Sequence, residues 1–595
     1  MSGEIVLWTS PDKFYVSSEE VPNRLLIIDR ITGLIKSEAY RHQIPSIVQR
    51  KSIVGLVGVI NLISGPHLVI AVSKRRVGVI TSDNHVVFKL DGGVQVLPFA
   101  RSEAHLRPEQ QEIAVEQRKM VESVFNTPYF YFSYTIDITN YQQKSDVLVE
   151  NSDNVNYVLN TASPCFTWNY FMLKSGGLVQ NPDFHPWCLA LVHGAVYIQQ
   201  CSLNGKLFRW SILSRRSTKR AGTRFFRRGV DFDGNVANFV ETEQIIEHKD
   251  SLASFVQIRG SIPFFWTQTP TLEYLPKPRI YYHVDHEAPF RGHFDKLFHN
   301  YGAQIIFNLI NHTKHEGALQ DKFSELCKKC DLQSQQIYYE AFDFHARCSK
   351  SRYAQSLSLL MEKYRQKLRQ FGCFIKTRSA IPSKLQTGVV RTNCMDSLDR
   401  TNVVQSMVAL ENLKQVLDQL SIPDDDLEQS DFFKLYRNVW ANHANIIAVQ
   451  YAGSEALKTD LTRSGKRTFT GMLRDLKTAI VRYVCNNFTD GQRQDAIDLV
   501  LGHYTVDVNY SAAKDKTKFS QKQLLYYLPL ILLMSSSLLL LTTLLFSDSQ
   551  DEFYLLVMCF ISLLSFLLLM IFRHSKLYVN WPKYCPYELV ETLKI

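Results

Sequence analysis

The sequence predicts an α/β protein in three parts: a β-rich N-terminal module, a larger α/β unit built around a strand–cysteine–helix junction, and a C-terminal pair of apolar helices. Three observations carry this reading. Short β-branched runs separated by turn signals dominate residues 1–185, and longer helical periodicities take over across 186–502. Two uncharged apolar runs, 524–546 and 553–572, stand near the end. A length of 595 residues suits several such units better than one core.

In the N-terminal module the runs 24–31 and 77–80 read as strands, and Asp91-Gly92-Gly93 reads as a turn between strands. Residues 53–72 are apolar for about the length of a membrane span. Asn61 and Ser64-Gly65-Pro66-His67 interrupt them, so a strand pair is expected there instead. No cluster of catalytic type falls in this module.

The second unit contains the junction. Gly388-Val389-Val390 is short and β-branched, as a buried strand is. Val403, Met407, Leu410, Leu413, Leu417 and Leu420 then recur at helical spacing. Between them runs Arg391-Thr392-Asn393-Cys394-Met395-Asp396-Ser397-Leu398-Asp399-Arg400-Thr401-Asn402, which places Cys394 at a strand-to-helix turn with Arg400 six positions on. Long helices are expected at 353–371 and 431–451.

That turn suits phosphate chemistry. A free cysteine, with a pKa of about 8.5, is only ~3% thiolate at pH 7, and a helix N-terminus or a cation increases that fraction. Full ionisation gains only about thirtyfold. The larger contribution comes from the Arg400 fork and from helix N–H groups that converge on the same phosphoryl oxygens. Against this stands the bland reading, a buried cysteine beside a surface arginine, because a chain with eleven cysteines shows this spacing readily by chance. Thr401 has two readings also: a hydrogen bond to the thiolate, or an ordinary helix N-cap. Asn393 and Asn402 are expected to order the loop through side-chain to backbone bonds.

A net charge of +10 suits an anionic partner, and with no nucleic-acid motif present a membrane is favoured over nucleic acid. Arg215, Arg216, Lys219, Arg220, Arg224, Arg227 and Arg228 place seven cations in fourteen residues without an acid. The functional reading is a basic rim for anionic lipid headgroups; the bland one is a solvated strand face with internal ion pairs. Lys458, Arg463, Lys466 and Arg467 form a looser basic group for substrate phosphate, membrane or simply a helix end. Cys327 and Cys330 lack a second pair nearby, so a helix-surface pair is expected rather than zinc.

A polar linker, 503–523, would span about 25 Å as a flexible chain. The two apolar runs, as helices, would measure ~34 and ~30 Å, enough to cross a bilayer. The connector 547–552 is acidic, whereas Lys514, Lys516, Lys518 and Lys522 precede the first run and Arg573 and Lys576 follow the second. The positive-inside rule therefore puts the tail 573–595 and the large N-terminal portion in the cytosol and the connector in the lumen.

The loop string resembles the signature of the Sac-domain phosphoinositide phosphatases. Other segments agree: Ser214-Arg215-Arg216-Ser217 with Arg220-Ala221-Gly222, Ala237 through Gln244, Arg259-Gly260-Ser261-Ile262-Pro263, Phe342-Asp343-Phe344-His345, Tyr451-Ala452-Gly453, Lys458-Thr459-Asp460, and Asn487-Phe488 through Asp495. With its membrane tail the chain looks like the family's anchored endoplasmic-reticulum and Golgi branch. The resemblance implies a Sac N-terminal domain at 1–185, a catalytic domain at 186–502, and removal of phosphate from phosphatidylinositol 4-phosphate and related monophosphates. It implies a phosphocysteine on Cys394, phosphate binding by Arg400 and by the loop from Asn393 through Met395, Ser397, Leu398 and Asp399, and no metal or other cofactor.

Asp396 is the first candidate for general acid, with Asp343 or His345 as alternatives, and Asp399 is expected to fix the loop. The family's usual second cysteine is replaced here by Ser397, which removes a thiol that could pair with Cys394. Two other function classes compete: a protein phosphatase with the same chemistry, and a phosphoinositide-binding scaffold at membrane contacts, where protein partners would act.

Overall fold

The computed structural model describes residues 4–584 apart from 40–43, 45–48, 82–83, 151–157, 333–335, 349–352, 378–380, 507–526, 528–530 and 543–549. Five short strands from Ile5–Thr9 to Gln49–Ile53 form a small antiparallel sheet. A second sheet of twelve strands carries the rest of the architecture. It begins with the hairpin Gly55–Leu62 and Gly65–Ile80, which is the strand pair expected from the interrupted apolar stretch.

The sheet runs antiparallel through Val192–Leu203, Lys206–Arg216, Val240–His248 and Ser251–Arg259, then changes sense. Ser251–Arg259 pairs parallel with Gly388–Asn393, which pairs parallel with Ala303–Asn308, and that with Ile337–Ala341. Parallel strands buried on both faces read as near-continuous apolar runs, which is why Gly388-Val389-Val390 was legible. The carboxyl ends of these four parallel strands lie together, and ligands of open α/β sheets bind at such ends.

The expected helices occur as Tyr353–Phe371 and Asp431–Ala452, and the helix after the loop as Asp399–Gln419. Three expectations change. The division at 185/186 is not a break in the sheet, because Phe130–Phe132 pairs directly with Val192–Leu203. Asp91-Gly92-Gly93 lies inside the strand His85–Pro98 as an irregularity opposite Ala71 and Ser73, not at a hairpin end. Gly93 is required there: its φ is 70°, and a Cβ would lie 1.8 Å from the Asn126 side chain. The Cys327/Cys330 pair is not a surface pair, since Cys330 is buried and burial pushes both thiols up.

The second apolar run lies within one helix, Gln550–Arg573, and 531–542 of the first run is helical. Among the described residues no helix is long and apolar enough to cross a membrane. Most of the linker, its four lysines and parts of the first run and connector lie outside the described residues. Beyond Arg573 the chain folds back onto the large unit. Asn580 donates its N–H to the Asn487 carbonyl (2.7 Å) and accepts the Gln492 N–H (2.8 Å). The Asp495 carboxylate accepts the N–H groups of Lys583 and Tyr584, at 2.8 and 2.7 Å, and Tyr584 stacks on Tyr504.

Candidate active site

Cys394 is buried immediately after the strand Gly388–Asn393, and the helix Asp399–Gln419 starts five residues later. The first turn of a helix has N–H groups with no intrahelical partner, so the loop meets the positive end of a helix dipole. The loop is held through both side chains and backbone. Asn393 bridges Arg391 (2.9 Å) and Asn308 (2.6 Å). The Met395 carbonyl accepts from Arg228, and Leu398 is buried against Ala444, Ile447 and Tyr451. Ser397 takes a left-handed conformation, φ 51°, and its hydroxyl donates to the Gly260 carbonyl at 2.7 Å.

Arg400 is oriented from the neighbouring parallel strand's end. Its two Nη groups form a bidentate pair with Glu316, each at 2.8 Å, and Nη1 also donates to the Leu309 carbonyl at 2.9 Å. A guanidinium has five N–H donors in one plane. With its end-on edge held by Glu316, the side-on pair, Nε–H and the second Nη2–H, has no other partner among the described residues. That is the geometry for two oxygens of a phosphoryl group. Burial opposes the charge on Arg400, but Cys394 and Glu316 more than offset it, so the guanidinium stays charged. Burial pulls the neighbouring Arg259 down to about 9, with Cys394 acting in the opposite sense.

Thr401 is fully buried and its hydroxyl has no hydrogen-bond partner among the described residues, so it is available to the sulfur or the phosphate. It is not the N-cap; that position belongs to Leu398. Asn402 accepts from Arg259, and Asp399 accepts the Leu457 N–H (2.7 Å) and pairs with Arg482 (3.2 Å), which fixes the loop to a distant turn.

The string of arginines is where the structure departs furthest from the sequence reading. Arg215, Arg216, Arg224 and Arg228 are buried rather than forming a rim. Arg215 pairs with Glu241 (2.9 Å) and Glu243 (2.6 Å) on the adjacent strand, and Arg227 pairs with Asp498 (2.9 Å). Arg216 and Arg220 donate to backbone carbonyls, of Gln450 and Arg228 respectively. Arg224 and Arg228 both grip Asp396, at 2.9 and 2.6 Å. A lone buried charge is strongly unfavourable, so such a run can enter the core only where distant carboxylates and carbonyls meet it.

This pairing bears on the acid. Burial pushes the Asp396 carboxyl up, but Arg224 and Arg228 outweigh it and hold the group well below the usual carboxylate range. In this arrangement Asp396 is a carboxylate, not a proton donor. The alternatives fare no better. Asp343 caps the short helix Phe344–Arg347, accepts the His312 N–H, and is also held low. Burial lowers His345, with Arg400 and Lys458 adding to the effect, so its ring is neutral at pH 7.

Residues 54–349 match the model of the SacI homology domain. The chain is 38% identical over 506 residues to the phosphatidylinositol-3-phosphatase SAC1-B of Danio rerio, covering 84% of each chain. The chain belongs to the Sac phosphoinositide phosphatases. The Drosophila melanogaster phosphatidylinositol-3-phosphatase SAC1 is likewise 38% identical over 515 residues, with 85% of this chain and 84% of that one covered. The Saccharomyces cerevisiae protein of that name is 35% identical over 405 residues, 65% of this chain and 64% of its own. This Sac phosphatase is therefore a phosphoinositide phosphatase, as its loop suggested.

Sequence reasoning found the loop but not Glu316, the Leu309 carbonyl or Arg259 as an electrostatic neighbour of the sulfur. Glu316 lies 84 positions before Arg400 in the first turn of the helix Lys314–Lys329, and no local pattern connects them. Arg259 was visible only as part of a family segment. Among the described residues no group of three or more His, Cys, Asp or Glu side chains is arranged to hold a metal.

Proposed function

We propose that this phosphatase hydrolyses phosphatidylinositol 4-phosphate, and phosphatidylinositol 3-phosphate, through a phosphocysteine on Cys394 at the cytosolic face of the endoplasmic-reticulum membrane, with cycling to the Golgi. The observation that carries the mechanism is the Arg400 fork held edge-on by Glu316, with its side-on donors left for phosphate beside a buried cysteine. The Cys394 sulfur attacks phosphorus as the bond to the inositol oxygen breaks. Water then attacks the phosphocysteine, the P–S bond breaks, and inorganic phosphate leaves.

The departing inositol oxygen needs a proton, and Asp396 supplies it only if substrate first draws Arg224 and Arg228 away, so that the carboxylate takes up a proton from solvent and passes it on. The water that later attacks the phosphocysteine gives up a proton to the same carboxylate. A phosphate monoester carrying close to two negative charges is a strong competitor for those guanidiniums. Thr401, whose hydroxyl has no partner among the described residues, assists at the sulfur. No metal or cofactor is needed. By composition, the uncharged runs 524–546 and 553–572 and the cations that flank them support a membrane-anchoring hairpin with the large unit cytosolic.

The test is phosphate release by the full chain in liposomes, compared with Cys394→Ser and repeated with a chelator. Abolition by the serine variant with retained lipid binding supports the covalent route. Turnover by the serine variant, or abolition by the chelator, refutes it.

A further inference from the structure

The helix Phe469–Phe488 is amphipathic the wrong way round. Its buried side chains are polar: Thr478, Arg482, Asn486 and Asn487. Its solvent face is apolar, with Phe469, Leu473, Leu476, Ile480, Val484 and Phe488 recurring at spacings of three and four. Phe469 is 71% exposed, and even Val484 and Phe488 are 44% exposed. A helix on a water-facing surface normally shows the reverse pattern. A contiguous exposed apolar stripe marks contact with something other than water.

Three observations identify the occupant. First, the helix borders the active site: Arg482 pairs with Asp399 of the phosphate loop and donates to Ser454, while Asp475 accepts the N–H of Lys458. Second, the chain leaving the apolar helix Gln550–Arg573 is clipped to its C-terminal end, where Asn580 binds the Asn487 carbonyl and Trp581 packs edge-on against Phe226. Third, Lys458, Lys466 and Lys477 are exposed around the stripe, and Tyr274 and Leu275 extend it from the loop that receives the Tyr483 hydroxyl. An apolar face edged by lysines is the composition of a helix that lies in the headgroup region of an anionic bilayer.

We propose that Phe469–Phe488 lies in the surface of the membrane that anchors the chain, and thereby presents the Cys394 loop to phosphoinositides of that same bilayer. The proposal rests on the lipid phosphatase reading above. The clip at Asn580, seven residues beyond the apolar helix Gln550–Arg573, keeps the C-terminal end of the stripe beside the chain that leaves that helix, which favours action in cis.

The experiment uses the full chain reconstituted in liposomes containing phosphatidylserine and phosphatidylinositol 4-phosphate, with the double variant L476E/I480E. Turnover of the bilayer lipid is compared with turnover of a short-chain, water-soluble phosphatidylinositol 4-phosphate in detergent. In parallel, Leu476→Trp is tested for fluorescence quenching by brominated lipids. The expected result is a loss of about tenfold or more on the bilayer lipid, little change on the soluble one, and quenching of the new tryptophan. Equal turnover of the variant and the parent on both substrates overturns the proposal, and so does equal loss on both, which would make the stripe structural. Absence of quenching with crosslinking between copies at this face assigns it to a second chain and overturns it as well. Lack of turnover of the soluble lipid by the parent protein would instead refute the functional reading.

Discussion

Glu316 has the most informative substitution, because its main link to the reaction is the fork of Arg400. The pair is bidentate at 2.8 Å on both oxygens, with side chains 13% and 19% exposed, so solvent screens it weakly. Glu316→Ala removes the two charge-assisted hydrogen bonds from Arg400 and a third from the Asn311 N–H (2.7 Å), each worth roughly 1.5–3 kcal/mol. Part of that loss appears as lower stability. The part that matters for catalysis is orientation: a fork free to rotate no longer aims Nε–H and Nη2–H at the transferring phosphoryl group. A displacement of this kind costs about a hundredfold in rate, or ~2.7 kcal/mol.

Glu316→Gln retains the shape and one acceptor, and a loss of about tenfold is expected. The assay is steady-state kinetics on the soluble short-chain lipid, with binding of vanadate as a second readout. The loss should appear in kcat as well as kcat/KM, because the fork is needed most in the transition state. If Glu316→Gln binds substrate more tightly at unchanged kcat, Glu316 merely competes with phosphate for Arg400 and the orientation argument fails.

Asp396→Asn should lower turnover of the inositol lipid by 10²–10⁴, roughly the worth of a general acid, while sparing an aryl phosphate whose leaving group needs no proton; equal loss on both removes Asp396 from the acid role. Its depressed carboxyl also links to stability. The contribution of the Arg224–Asp396–Arg228 cluster is fully present above about pH 4, the unfolded value, and fades as pH falls further toward the folded value. Urea unfolding of parent and Asp396→Asn should therefore differ by a constant amount from pH 8 to about 5 and converge below about 4. Ser397→Cys exchanges a 2.7 Å hydroxyl bond to the Gly260 carbonyl for a weak thiol contact, so a loss of about 0.5–1.5 kcal/mol is expected, with activity retained and a new peroxide sensitivity reversed by thiol reductant. A Gly93→Ala variant places a methyl group against Asn126 at φ 70° and should lower the unfolding midpoint without changing kcat.

The parts legible in the sequence are those governed by neighbours along the chain. The Cys394 turn follows from a β-branched run meeting a helical repeat. The helix Tyr353–Phe371 and the hairpin Gly55–Ile80 follow from periodicity and from one turn signal. What the sequence could not determine was the fate of charge. Seven cations in fourteen residues look the same whether solvated or buried, because burial depends on which carboxylates the fold brings to them. Strand pairing sets Arg215 beside Glu241, and a separate loop delivers Arg224 and Arg228 to Asp396. The same holds for Glu316 with Arg400 and for the outward apolar face of Phe469–Phe488, whose periodicity shows a stripe but not which way it faces. Periodicity and local turn chemistry are written in adjacent residues; electrostatic partnership and facing direction are set by tertiary contacts between residues far apart in the chain.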